Sequence, residues 1–255
     1  MIFPGWTGSC DETNESRRVV LSPVTAGYYD EHLSAERLRR CYEIAPARVQ
    51  QYLRAEIAYV ASKIQPSDQV LELGCGYGRV LKELAAFAAV VVGIDTSPSS
   101  LRVATEWLQN IPNIELERMS AIRLAFADRS FDVVLCIQNG LSAFGVARHI
   151  VLREALRVTK PGGRVLLSSY AAGFWPHRLE WFRLQSEAGL LGEIDWSTTG
   201  DGVIVCKDGF RAETISPEEF KALAANVRVP CRIEEVDGSS LFCELLRYHR
   251  NRCPQ

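Results

Sequence analysis

The sequence predicts an α/β fold, a parallel sheet with helices on both faces, and three observations carry that expectation. Short runs of aliphatic and β-branched residues recur at 70–73, 90–95, 131–137 and 164–169. Stretches with helical spacing lie between them, at 80–87, 98–110 and 148–158. Strand and helix therefore alternate over the middle of the chain, the order of a sheet buried under helices on each side.

Taken in order, residues 1–25 read as irregular, with Pro4, Gly5, Gly8, Asn14 and Pro23 and no periodicity. Helices are expected at 34–42 and 46–64, the second with Ala47, Val49, Tyr52, Leu53, Ile57 and Val60 on its apolar face. The strand at 70–73 runs into a glycine turn and the helix at 80–87, where Leu81, Leu84 and Ala85 share a face. Strand 90–95, helix 98–110 and strand 114–119 follow. A polar turn at 127–130 leads to strand 131–137. The helix at 148–158 should stop at Lys160-Pro161-Gly162-Gly163 before strand 164–169. Residues 170–196 are aromatic-rich, with a helix expected at 176–187. Residues 202–214 alternate and turn at Lys207-Asp208-Gly209, a hairpin signal. Ser216 caps the next helix, Pro217 takes its first position and Glu219 completes a capping box. Strands at 232–236 and 240–246 would form an antiparallel edge pair. The chain divides on this reading into an N-terminal segment at 1–65, a core at 66–170, an aromatic helix-and-hairpin insertion at 171–215, and a closing helix and strands at 216–255.

The chemistry concentrates at Val70-Leu71-Glu72-Leu73-Gly74-Cys75-Gly76-Tyr77-Gly78-Arg79. Glycine lacks Cβ and reaches positive φ, so a ligand can approach such a strand-to-helix turn closely, and the N–H groups of the helix start should face it. A dinucleotide turn, G-x-G-x-x-G, would need glycine at position 79, where Arg79 stands. On the next strand Asp95 offers two acceptor oxygens that match a ribose diol. Asp95, Thr96 or Ser97 could alternatively cap the helix that follows.

Four ordered motifs then carry a resemblance. Glu72-x-Gly74-Cys75-Gly76-x-Gly78, Gly93-Ile94-Asp95, Leu124-x-Phe126-x-Asp128-x-Ser130-Phe131-Asp132 and Leu156-Arg157-Val158-x-Lys160-Pro161-Gly162-Gly163 resemble class I S-adenosylmethionine (SAM)-dependent methyltransferases over residues 66–170. The resemblance implies a Rossmann-like fold, with a seven-stranded, mostly parallel sheet, helices on both faces and an antiparallel last strand. It implies SAM as cofactor, with Glu72 and the turn Gly74, Cys75, Gly76 and Gly78 holding its methionine half. Asp95 would bind the ribose with Thr96 beside it, Ala121 and Ile122 would line adenine, and Gln138 would sit near the methionine amino group. Ser120 stands where many relatives carry an acid for the adenine amino group; its hydroxyl can still accept that hydrogen bond, without charge assistance.

Composition narrows the partners. With 255 residues, 47% hydrophobic, the chain can bury a full core. Its 29 basic and 31 acidic residues leave a net charge of −2, no excess for a polyanion, so no nucleic acid is expected. The Arg37, Arg39, Arg40 cluster is flanked by Glu31, Glu36 and Glu43 and reads as a solvated face. No run reaches the length of a membrane span, and no basic-then-apolar leader opens the chain, so a cytoplasmic protein away from membranes is expected. The eight cysteines form no C-x-x-C, and no metal site is expected.

A methyl transfer from a sulfonium needs alignment more than acid–base help. His177 and His149 lie in the right regions for a base if the acceptor must lose a proton, though each also suits a surface or structural role. The insertion falls above the carboxyl ends of the strands, where an acceptor would arrive, making Trp175 and Trp181 candidate acceptor contacts alongside Asn139. Tyr28 and Tyr29 could close over the cofactor or simply pack. The chain lacks the Asn/Asp-Pro-Pro-Tyr/Phe of amine-methylating nucleic-acid enzymes, having Gln138-Asn139-Gly140-Leu141 there. A small-molecule acceptor is therefore expected, with a protein or tRNA as the alternative. A nicotinamide dehydrogenase and a SAM-binding protein without methyl transfer are the rivals from other classes.

Overall fold

A computed structural model of the chain describes residues 27–248, with Asp30 by its backbone alone. The N-terminal residues 1–26, with Cys10, and the C-terminal His249 and Cys253 lie outside the described residues. The central sheet has seven strands in the order β3-β2-β1-β4-β5-β9-β8. These are β1 (Gln69–Leu73), β2 (Val90–Asp95), β3 (Ile114–Arg118), β4 (Phe131–Cys136), β5 (Thr159–Tyr170), β8 (Cys231–Val236) and β9 (Ser240–Leu246). The first five pair in parallel, whereas β9 runs antiparallel to both β5 and β8. The sheet is the Rossmann-like methyltransferase arrangement that the motifs imply.

Alternate strand residues serve opposite cores, which is why the strands are apolar on nearly every residue. Leu71, Leu73, Val134, Cys136, Val165 and Leu167 pack under α7 (Arg148–Val158) and α9 (Pro217–Asn226). Val70, Val91, Val133, Leu135 and Leu166 face α3 (Ala47–Ala61), α4 (Arg79–Leu84) and α5 (Pro98–Leu108). A third core joins the chain's two outlying regions. Tyr28 of α1 (Tyr28–Glu31), Cys41 of α2 (Ala35–Glu43) and Tyr52 of α3 pack with Trp181 and Phe182 of α8 (Trp175–Glu187). Phe210, from the turn between β6 (Val203–Val205) and β7 (Arg211–Glu213), closes that core. Two corrections concern boundaries. α7 ends at Val158 as expected, but the glycine pair that follows already belongs to β5, which starts at Thr159 and not at 164 and shifts register between Phe131↔Thr159 and Val133↔Arg164. Gly162 donates to Arg247 O at 2.6 Å and Arg247 donates back to Gly163 O at 3.0 Å, so the bulge is paired to the end of β9. The expected helix at 46–64 is shorter, ending at Ala61. No helix among the described residues is long and apolar enough to cross a membrane.

The strand order reverses between β1 and β4, and at such a switch point two neighbouring connections leave the sheet on opposite faces and open a crevice at the strands' carboxyl ends.

Candidate functional site

A cavity occupies that crevice. Its floor is the β1–α4 turn, where Gly74, Gly76 and Gly78 have φ of 76°, 55° and 85°. A Cβ at Gly74 would sit 2.6 Å from the Phe144 ring that covers the turn, and positive φ already disfavours side chains there. The N–H groups of the turn itself are taken within the protein. Gly74 and Cys75 both donate to Ile94 O at 2.9 Å, Gly78 donates to Cys75 O at 2.9 Å, and Gly76 donates to Asp95 Oδ2 at 2.8 Å. These four groups are spent inside the protein, so the turn contributes shape and its side-chain neighbours contribute polarity. The buried thiol of Cys75 packs toward Gly93 and burial holds it protonated.

The capping alternative at β2 resolves onto Ser97, whose hydroxyl accepts the Ser100 N–H at the start of α5. Asp95 is thereby left at the cavity edge. Its Oδ2 takes the Gly76 N–H and its Oδ1 takes the Ser97 N–H at 2.9 Å, which fixes the carboxylate. Thr96, Ser120, Ala121 and Ile122 line the cavity beside it, and Met119 joins them.

Elsewhere the lining holds polar atoms with nothing to bond. Glu72 Oε2, Arg79 Nε and Nη2, and Gln138 Nε2 are all buried and without a hydrogen-bond partner. Burial pushes the Glu72 carboxyl up to about 8, with Arg79 opposing the rise and Asp95 adding to it. Arg79 stacks its guanidinium 4.6 Å from the Tyr42 ring centre. Unpaired polar atoms buried at this density are costly unless a ligand satisfies them. An unsatisfied acid and an unsatisfied guanidinium side by side suit an ammonium and a carboxylate on one carbon.

Two contributors went unseen in the sequence. Arg79 drew notice only as the residue that breaks the dinucleotide pattern, though its place one residue after Gly78 was the available signal. Glu56 sits on the face of α3 expected to be wholly apolar and is fully buried, at 0% exposure. It accepts the Gln138 N–H at 3.0 Å and the Ser240 hydroxyl at 2.8 Å, and so holds the turn that follows β4. Gln138 and Asn139 both have positive φ there, 56° and 62°, strain that such outside support can sustain. Burial raises the Glu56 carboxyl to about 7 despite hydrogen bonds from Ser168 and Ser240. No local pattern marks it.

Among the candidate acceptor contacts, Tyr29 lines the cavity, with Gly27, Leu33, Leu38 and Tyr42 of the same N-terminal segment. The others do not. Asn139 is a bracket: Nδ2 donates to Glu213 O at 2.9 Å and Oδ1 accepts from Ser169 at 2.8 Å, clamping β4 to the hairpin and β5. Tyr28 donates to Asp208 at 2.6 Å. Trp181 is core, donating from Nε1 to Cys41 O at 2.8 Å, and Trp175 packs at the edge of the same core over Arg178. His177 lies against Phe174 and His149 on α7; neither lines the cavity. Among the described residues no group of three or more His, Cys, Asp or Glu could hold a metal ion.

Comparison with known proteins fits this geometry. Residues 70–163 match a family model described as a methyltransferase domain. The demethylmenaquinone methyltransferase of Tropheryma whipplei is 33% identical over 111 residues, covering 42% of this chain and 44% of that one. The chain thus spans less than half the length of the curated relatives it matches. Among solved structures, a SAM-dependent methyltransferase from Methanosarcina mazei superposes with a TM-score of 0.56 at 21% identity, over 75% of this chain and 98% of that one. The [4+2]-cyclase SpnF superposes with a TM-score of 0.55 at 18% identity, over 90% and 98% of the two chains. At such identities the structural likeness speaks to the fold.

Proposed function

We propose that this chain belongs to the class I SAM-dependent methyltransferases, as the match of residues 70–163 to a methyltransferase-domain model supports, and that it binds SAM and moves its methyl group to a small-molecule acceptor. The observation that carries the proposal is that one cavity holds both the unsatisfied Glu72 and Arg79 and the fixed carboxylate of Asp95. Glu72 would take the cofactor's ammonium, Arg79 its carboxylate, Gln138 a further hydrogen bond beside them, and Asp95 the ribose hydroxyls. Ala121 and Ile122 give an apolar wall for adenine, with Ser120 offering a hydroxyl.

Bound SAM supplies an electrophilic methyl on a sulfonium sulfur. The protein's own work is then to hold the reacting groups in line and keep water out, and alignment of that kind supplies much of the rate in bimolecular displacements. Tyr29, Leu33, Leu38 and Tyr42 wall the cavity and suit the second task. A small acceptor is supported by the enclosed, aromatic wall, by the near-neutral charge, and by the quinone-type acceptor in the Tropheryma relative's name. The same fold occurs in a protein named for cyclisation and not for methyl transfer, and the second reading is a SAM site without methyl transfer.

Calorimetric titration with SAM, S-adenosylhomocysteine and NADH tests the reading. Binding of both adenosyl ligands without NADH heat is expected. Absence of adenosyl binding would refute it, and binding with no turnover across acids, phenols, thiols and amines would favour the second reading.

A further inference from the structure

Behind the wall of the cavity formed by α1 and α2, α8 carries a charge that the cofactor does not account for. Arg178 of α8 is fully buried, at 0% exposure, and no carboxylate among the described residues pairs with it. Its Nη1 donates to Gly202 O at 2.7 Å and its Nη2 to Ala212 O at 3.0 Å, while Nε has no partner. The Tyr170 ring centre lies 4.5 Å from the guanidinium carbon and that of Phe182 5.4 Å. A neutral side chain could tie two carbonyls of the hairpin. A buried cation without an anion is otherwise expensive, and aromatic faces offset only part of that cost.

Tyr29 links this charge to the cavity, since it lines the cavity and lies within the electrostatic reach of Arg178 and Tyr170. Tyr42 lines the cavity beside it. Neither hydroxyl has a hydrogen-bond partner among the described residues. Burial raises both phenols well above their ordinary value, so each can donate a hydrogen bond at neutral pH and neither can act as a base. Donors thus cluster on this side of the cavity, with Arg178 behind Tyr29, Arg79 against Tyr42 and no histidine in the lining.

We propose that the methyl acceptor is an anion on oxygen, a carboxylate or an already ionised enol or phenol, received by the Tyr29 and Tyr42 hydroxyls with Arg178 as the charge behind Tyr29. The proposal rests on the SAM-dependent reading above. An oxygen lone pair forms the new O–CH₃ bond as the S–CH₃ bond breaks, and that bond's electron pair stays on sulfur. Anion and sulfonium become a neutral ester or ether and a neutral thioether. No proton has to leave, so the reaction needs no base. The neutral product also loses the charge by which the acceptor was held.

The test is calorimetry on the full chain saturated with S-adenosylhomocysteine, using matched probes: benzoate against benzamide, and 3-phenylpropionate against 3-phenylpropionamide. Each carboxylate should bind about tenfold or more tightly than its amide. Tyr29→Phe should cut that ratio by about threefold or more, and a ratio cancels any general loosening of the cavity. Arg178→Lys should keep the preference in part; Arg178→Gln should abolish it. Because Arg178 also ties the hairpin, Tyr29→Phe is the decisive variant if the Arg178 variants do not fold. Equal or tighter binding of the amides, binding of neither probe, or a full carboxylate preference in Tyr29→Phe would overturn the proposal. Failure to bind S-adenosylhomocysteine at all would overturn the SAM reading itself.

Discussion

Asp95 shows how one side chain can serve structure and ligand together. Its two oxygens already hold the Gly76 and Ser97 N–H groups, so the carboxylate arrives at the cavity pre-oriented. Asp95→Ala should weaken SAM binding by about 1–3 kcal/mol through lost charged hydrogen bonds. It should also lower Tm, since the glycine turn loses its tether. Calorimetry beside thermal unfolding separates the two effects; unchanged SAM affinity would remove Asp95 from the site. Glu72, Asp95 and the glycines were legible in sequence because the pattern that marks them is local to two strand ends. Glu56 and Arg178 were not. Each is a charge on an otherwise apolar helix face, and its partners lie far along the chain: Gln138 and Ser240 for Glu56, Gly202 and Ala212 for Arg178. Asn139 was misread for the same reason, since its bracket to Glu213 and Ser169 is visible only once the hairpin has folded against β5.

Elements were readable where their signals are short-range. The α7 bounds agree with the sequence pattern, and the Ser216–Glu219 capping box forms with both reciprocal hydrogen bonds. That box gives a prediction at the same scale. Ser216→Ala should cost about 1 kcal/mol and lower Tm by about 2–4 °C. Cofactor affinity should not change, because α9 packs against α7 and the β8–β9 end of the sheet, away from the cavity. Scanning calorimetry paired with ligand titration checks both halves, and a loss of affinity would show that α9 communicates with the cavity. The start of β5 was hidden because Pro161 and two glycines signal a break. In the fold their N–H and C=O groups find Arg247 on the neighbouring strand. A turn signal thus became a bulge once a partner strand lay beside it. The N-terminal helices and the insertion at 171–215 were legible as helix and hairpin but not as neighbours. Arg37 joins them, donating to Gly189 O at 2.8 Å and Leu190 O at 3.0 Å.

Across the whole molecule, pH dependence reports how the site and the fold share their burial. Burial raises the folded-state pKa of Glu72 to about 8 and that of Glu56 to about 7. In the unfolded chain both lose their protons near pH 4.3. Between about 4.3 and 8 the folded state therefore holds more protons than the unfolded one, and stability falls as pH rises through that window. Glu154 works the other way: its hydrogen bond from Arg157 lowers its pKa, so its contribution is present above the ordinary glutamate range and is lost in acid. The protein free of ligand should therefore be most stable near pH 5 and lose several degrees of Tm toward pH 8. Glu72→Gln should remove most of that slope between about pH 7 and 8, as Glu56 ionises, and roughly halve it below. An ammonium bound beside Glu72 favours the carboxylate, so saturating SAM should flatten the same part of the wild-type curve and release a proton on binding. Thermal unfolding from pH 5 to 8, with and without SAM, checks the three curves together. A wild-type slope that survives both Glu72→Gln and SAM would mean that the buried carboxyl beside Arg79 is not where the ammonium sits.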